Sequence, residues 1–347
     1  GAARGDGGPL GMIPGVLVLP TPADVFDTAA RRFTAAVGEA LTARGVAHVV
    51  LSGGSTPAGL YQKLALPENQ SRLDWKHVHI WWGDERAVPP DDPASNYRLA
   101  RDTLLRHLEL QPSQVHRMAP DAFALEASAL RYEAEIDASV PIGEAVGEAV
   151  GEAVGEAVIG PAKPLARFDL ILLGVGGDGH TASLFPGSGA LGVRDRRVAA
   201  VPHAPGWPRL TLTLPVINAA RNVHLLATGV AKARAVSRAL IGEPANDCPA
   251  SLIRPTDGQL LWLIDAEADR LRSVGGKGGG RDLGATGGIS DPMLRATRGP
   301  GDPRNPEDPG DPGSDSSDRA RHRLPRELPG PDDGPFIDLP GDSEPES

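Results

Sequence analysis

The chain has 347 residues, 40% of them apolar, with a net charge of −10, so one large domain or two ordinary ones can be built. One cysteine, Cys248, excludes an internal disulfide and suits a reducing cytosol. No stretch approaches the roughly 18 apolar residues of a membrane span, and Gly1 to Pro14 lacks the basic segment and apolar core of a signal peptide, so a cytoplasmic protein away from membranes is expected.

Residues 1–14 read as a flexible extension and 15–272 as the folded domain. From Ser273 to Ser347 there are 15 Gly, 12 Pro, 15 acidic and 9 basic residues without periodic apolar pattern. Such a composition cannot bury enough surface to offset chain entropy, and a disordered tail is expected over 273–347. The tail holds 6 of the 10 net negative charges, and the rest is only weakly acidic. A nucleic-acid partner, which would need a basic face, is not expected.

Val16 to Leu19 reads as a short strand. Thr21 caps the helix that follows, with Pro22 in its first turn and apolar residues at helical spacing until Gly45 ends it. Val46 to Leu51 is a buried strand. It runs into Ser52-Gly53-Gly54-Ser55-Thr56-Pro57, with a helix from Ala58 to Leu66. Two glycines let backbone N–H groups turn inward, Ser55 and Thr56 add hydroxyls, and the helix presents its positive end, which together suit a phosphate. An ordinary Ser/Thr cap is the plain alternative.

Val78 to Trp82 is a third strand, ending in Gly83-Asp84-Glu85-Arg86, which reads as a cleft loop or a solvated loop with a surface ion pair. A helix is expected over Asn96 to His107, a short strand over Val115 to Met118 and a helix over Ala122 to Val140. Gly143 to Val158 is four copies of Gly-Glu-Ala-Val, too short a period for a solenoid, and reads as a low-complexity insertion within 141–164.

Phe168 to Phe185 is the most informative stretch. The apolar run Leu170 to Leu173 is a buried parallel strand. It breaks into Gly174, Gly176, Gly177 and Gly179, with Asp178 and His180 inside the glycine turn and Thr181 to Leu184 as the first turn of a helix. A carboxylate and an imidazole at a strand end are where α/β proteins place chemistry, although a tight turn with a solvated Asp and His fits too. Val198 to Val201, Leu210 to Leu214, Val223 to Ala227 and Leu260 to Ile264 are the remaining strands. Ala231 to Leu240 is a helix with Lys232 in its first turn, where a cation opposes the dipole unless an anion is held there; a solvated Lys is the alternative. A short helix ends at about Leu271. Strand and helix alternate throughout, predicting an α/β fold with a largely parallel, doubly wound sheet and helices on both faces. In such a sheet the loops at 52–56, 83–86, 174–180 and 229–232 converge beyond the strand ends.

Several motifs in order carry a family resemblance. They are Ser52-Gly-Gly-Ser-Thr-Pro57, Trp82-Gly-Asp-Glu-Arg86, Ser95-Asn-Tyr97, Gly174-Val-Gly-Gly-Asp-Gly-His-Thr-Ala-Ser-Leu-Phe-Pro186 and Arg209-Leu-Thr-Leu-Thr-Leu-Pro215. The chain resembles the glucosamine-6-phosphate isomerase/6-phosphogluconolactonase family from about Val16 to Leu271, on its lactonase side. The resemblance implies a modified Rossmann-like α/β domain and hydrolysis of 6-phospho-D-glucono-1,5-lactone to 6-phosphogluconate in the oxidative pentose phosphate pathway, without cofactor. It assigns the base to His180 and supports Lys232 as a phosphate ligand. The loop between Val201 and Leu210 departs from the family pattern, having Gly206 and Trp207 where relatives carry more prolines and a Lys. The repeat and the acidic tail have no family counterpart.

A δ-lactone is an activated ester, and its hydrolysis needs a nucleophilic water, a place for oxyanion charge and a proton for the departing ring oxygen. His180 can serve both proton steps near neutral pH. Asp178 orients the ring, and Arg86 grips either the oxyanion or the phosphate. Gly53, Gly54, Ser55 and Thr56 hold the phosphate with Lys232 as counter-charge. Asp84 is placed at the substrate, since in the isomerases the equivalent acidic loop helps proton transfer. His48, His77, His79, His107, His116 and His224 read as structural or surface, and no spacing suggests a metal. The expected partner is one small phosphorylated lactone bound by a monomer. The alternatives are a glucosamine-6-phosphate deaminase/isomerase and a non-catalytic sugar-phosphate sensor; the sensor lacks a DNA-binding helix pair here.

Overall fold

The computed structural model describes residues 15–142 and 165–275. The N-terminal extension, the Gly-Glu-Ala-Val repeat and almost all of the acidic tail lie outside them. Six strands form one sheet: β1 (Gly15–Leu19), β2 (Ala47–Leu51), β3 (Val78–Trp82), β5 (Leu170–Gly174), β8 (Asn222–Ala227) and β9 (Gln259–Asp265). Their order is β1-β9-β8-β5-β2-β3, and every pairing is parallel. β2 is buried along its whole length, as a strand covered on both faces must be.

The connecting helices follow local signals. α1 (Pro22–Arg44) starts at a capping box: the Asp24 N–H donates to Thr21 Oγ1 while the Thr21 N–H donates to Asp24 Oδ2. It stops at Gly45, which takes the left-handed φ of 74°. α2 (Ser55–Leu64) packs against α1, with a single turn, α3 (Pro67–Gln70), behind it. α4 (Asn96–Thr103) and α5 (Leu125–Ser139) follow β3. α6 (Leu214–Asn218) precedes β8, and α7 (Ala233–Ile241) packs on α8 (Ala266–Gly275). α1 and α8 both lie against β1 and β9, so helices flank the sheet as the alternating pattern predicts. α8 runs to Gly275, a few residues past the boundary at 272 that composition suggested.

A second sheet is absent from the sequence reading. β4 (Asp84–Arg86), β6 (Val198–Val201) and β7 (Arg209–Leu212) pair antiparallel in the order β4-β7-β6. Thus Asp84 to Arg86, read above as a loop, is a strand. The expected strand over 115–118 is reduced to a single bridge between Val115 and Ile80. The helix expected at Thr181 to Leu184 does not form. Thr181 and Leu184 face each other in a bridge, Ala182 has φ 49°, and Ser183 is tied to the second sheet by its N–H to Thr211 Oγ1 and its Oγ to Asp84. Pro186, which lacks an N–H, closes off further helical bonding. Ile142 bridges Ala166, so the two ends of the low-complexity insertion lie side by side.

Of the described histidines away from the glycine turn, His48, His116 and His224 are buried and His79 is half-buried, whereas His77, His107 and His203 are exposed. The His116 ring stacks on Trp81 at 3.8 Å and bonds to His79 and Glu135. His224 is buried on β8; burial, and then the Arg32 cation, lower its pKa to about 4, so it is neutral in the fold. An unfolded histidine takes its proton near pH 6.5, so this contribution to stability is complete above that pH and is lost as pH falls toward 4. Urea unfolding at pH 7 and pH 5 should show His224→Leu losing roughly 2 kcal/mol less than the parent across that interval. An equal loss in both proteins would exclude His224 as a source of acid lability.

Candidate active site

The strand order puts β5 between β2 and β8, and the segments beyond the carboxyl ends of these three strands enclose one cleft of about 620 Å³, mouth included. The turn after β2 supplies the first wall. Gly54 has φ 106° and leaves α2 without a side-chain cap, so the first N–H groups of the helix face the cleft unblocked. A side chain at Gly53 would collide with Asn96, because a Cβ there would sit 1.8 Å from Asn96 Oδ1. Ser55 is exposed, whereas Thr56 is buried and its Oγ1 lies 2.9 Å from Thr228 Oγ1. α2 begins at Ser55, three residues earlier than the sequence reading placed it.

Lys232 enters from the turn after β8. It sits in a 3-10 turn, Val230–Lys232, just ahead of α7 rather than inside its first turn. Gly229, at φ 86°, donates its N–H to both carboxylate oxygens of Asp265, which pins the turn. Lys232 lines the same cleft as Gly53 to Thr56 and has no carboxylate partner among the described residues.

The glycine turn after β5 supplies the imidazole. Gly176 N–H donates to His180 O, Gly179 N–H to Gly176 O, and Thr181 Oγ1 to Gly174 O. Gly176 must be glycine, since a Cβ there would come within 2.1 Å of His180 Nδ1. Gly179, at φ 94°, packs against Cys248 and accepts from the Ala250 N–H. His180 Nδ1 lies 2.6 Å from Asp178 Oδ1, and the His180 N–H donates to the same oxygen. Burial acts to raise the Asp178 carboxyl, but the N–H and ring of His180 outweigh it and hold it below the usual carboxylate value. An ionised Asp178 accepting from Nδ1 leaves the lone pair on Nε2. His180 lines the cleft; Asp178 stands behind it, outside the lining.

The second sheet closes the remaining side with Asp84, Arg86 and Arg209. Asp84 is buried, accepts from Ser183 Oγ at 2.6 Å and from Asn96 Nδ2 at 3.2 Å, and lies 4.0 Å from an Arg209 nitrogen. Glu85 turns away from the cleft. Its carboxylate accepts from the N–H groups of Arg86, Asn96 and Tyr97 and from Ser95 Oγ, capping α4 from a neighbouring strand. The Arg86 guanidinium donates to Ala94 O, and its Nε is buried without a partner. All the residues singled out in the sequence except Asp178 therefore share one cleft. Arg209 belongs to the Arg209–Pro215 motif, and the sequence alone does not mark it as a residue of the cleft. The signal was the alternation Arg209, Leu210, Thr211, which puts Arg209 and Thr211 on one face of a strand.

The family profile described as glucosamine-6-phosphate isomerases/6-phosphogluconolactonase matches residues 20–262. The chain belongs to this family. A 6-phosphogluconolactonase from Synechocystis sp. is 38% identical over 258 residues, which cover 74% of this chain and 98% of that protein. Among solved structures, the 6-phosphogluconolactonase from Trypanosoma brucei superposes with a TM-score of 0.58 at 31% identity, covering 74% of this chain and 98% of that one. A monomeric glucosamine-6-phosphate deaminase superposes with a TM-score of 0.57 at 26% identity, covering 74% and 100%. The fold is thus common to both branches, and the choice between them rests on the cleft. No helix among the described residues is long and apolar enough to cross a membrane.

Proposed function

We propose that this chain hydrolyses 6-phospho-D-glucono-1,5-lactone to 6-phosphogluconate in the oxidative pentose phosphate pathway. The observation that carries the reading is the position of His180. Its ring lines the cleft with Nδ1 held by Asp178, in the same cleft as the Gly54–Thr56 turn and Lys232.

The phosphate rests on the N–H groups that open α2, with Ser55, Thr56 and Lys232 around it. This leaves the ring carbonyl toward the imidazole. His180 Nε2 takes a proton from water as the oxygen attacks the carbonyl carbon, giving a tetrahedral oxyanion. The C–O bond to the ring oxygen then breaks, and the imidazolium returns its proton to that oxygen, which becomes a hydroxyl. The new carboxyl group ionises and releases one proton to solvent. Asp178 keeps the ring in the tautomer this sequence needs and stabilises the imidazolium.

The cleft favours this chemistry over deamination. Glu85 is fully engaged in capping α4, and Asp84 is held by Ser183 and Asn96, so neither acid is free to move a proton at the cleft wall, where His180 presents Nε2. Production of acid from freshly generated lactone, against release of ammonia from glucosamine 6-phosphate, separates the two readings. Within the lactonase reading, Lys232→Ala should raise KM about 10–100-fold and change kcat little, the size expected for one charge-assisted contact to phosphate. An unchanged KM would remove Lys232 from the phosphate site.

A further inference from the structure

Arg86 and Arg209 are directly opposite each other in the antiparallel pairing of β4 with β7. Like charges at such positions repel, so the fold holds two guanidinium groups together against their own repulsion. The nearby acids among the described residues offset this only in part. Arg209 is only 8% exposed, yet its closest carboxylate oxygen among the described residues, on Asp84, is 4.0 Å away and already accepts from Ser183. Glu85, the next acid along the strand, spends its oxygens on α4. The Nε–H groups of both arginines are buried without an acceptor. Burial, and then Arg86, lower the pKa of Arg209, the direction expected of a cation short of counter-charge. A paired, under-neutralised donor set lining a cleft is a site for an anion.

Its position separates it from the phosphate cradle. The Arg209 guanidinium lies over the Phe185 ring, 5.2 Å from its centroid, and the His180 ring packs on the same phenyl ring at 4.6 Å. The cradle is made instead by the turns after β2 and β8. We propose that Arg209, paired with Arg86, is a catalytic residue for the lactone end of the substrate: its guanidinium takes the carbonyl oxygen as that oxygen gains charge, and then the carboxylate of the product. The inference rests on the lactonase reading and adds to it the residue that meets the reacting carbonyl. The lactone carbonyl is uncharged, so the contact strengthens only after water attacks, which is the condition for lowering the barrier rather than merely binding substrate.

The test uses the full chain and two ligands, 6-phosphogluconate and D-glucitol 6-phosphate, which keeps the phosphate and lacks the carboxylate. Calorimetric titration of Arg209→Gln should give 6-phosphogluconate binding weakened by about 10–100-fold and glucitol 6-phosphate binding within about twofold of the parent. The kcat for lactone should fall by roughly 10²-fold, with a smaller change in KM. Arg209→Lys, which keeps the charge and loses the fork, should fall between, and it carries the test if the Gln variant does not fold. Lys232→Ala should weaken both ligands alike. Equal weakening of both ligands by Arg209→Gln would place Arg209 on the phosphate and overturn the assignment, as would no weakening of either. A parent chain that bound neither ligand would bring down the reading of the cleft itself, and the Arg209 assignment with it.

Discussion

In His180→Ala, kcat for lactone hydrolysis falls by roughly 10²–10⁴-fold, the range a single positioned acid–base group supplies. The loss is in chemistry and not in folding. The glycine turn is held by its own backbone bonds, Gly176 to His180 and Gly179 to Gly176, by Ala250 donating to Gly179, and by Thr181 Oγ1 on Gly174. None of these uses the imidazole. What the ring contributes is one free nitrogen at the cleft wall and a second one fixed by Asp178. The residual rate over background reports what the phosphate cradle and the arginine pair do without a base. Circular dichroism and the melting temperature should match the parent; a folded variant with near-parent turnover would take His180 out of the mechanism.

Glu85→Ala should destabilise the domain by about 2–4 kcal/mol, although Glu85 touches no substrate. Its buried carboxylate satisfies three backbone N–H groups and one hydroxyl. Two of those N–H groups, on Asn96 and Tyr97, belong to the first turn of α4, where intrahelical acceptors are missing. Alanine leaves them buried and unpaired. Activity should fall as well, because Asn96 holds Asp84 and Arg86 is bonded to Ala94 in the loop that Glu85 anchors. Equilibrium denaturation reads the first effect and steady-state kinetics the second. A variant as stable as the parent would mean that water replaces the carboxylate at the start of α4.

Much of the sheet was legible because its signals are local. Leu170 to Leu173 is a short apolar run, Ala47 to Leu51 is one broken only by His48, both lead into glycine turns, and Thr21, Asp24 and Gly45 mark both ends of α1. The glycine loops were legible for the same reason, since a strand that stops at Gly53-Gly54 or Gly176-Gly177 has few other uses for those residues. What the chain conceals is the second sheet. β4 is three charged residues with no apolar alternation, and only its pairing with β7, over a hundred residues later, makes it a strand. The role of Glu85 is hidden for the same reason: an acid in a charged run looks solvated until the start of α4 is brought against it. Thr181 to Leu184 looks helical on its own and is overridden by the bonds of Ser183 to Asp84 and Thr211. Arg209 was visible as a motif residue, but its role depends on standing opposite Arg86, which no spacing reveals.

The most direct measurement is the hydrolysis rate of freshly generated 6-phosphogluconolactone with the full chain, read against the spontaneous background in the same buffer, with glucosamine 6-phosphate as the parallel substrate. A large excess of lactone hydrolysis with no ammonia release is the result expected from the His180 cleft. No excess over background from a folded chain, or ammonia released from glucosamine 6-phosphate, would contradict it.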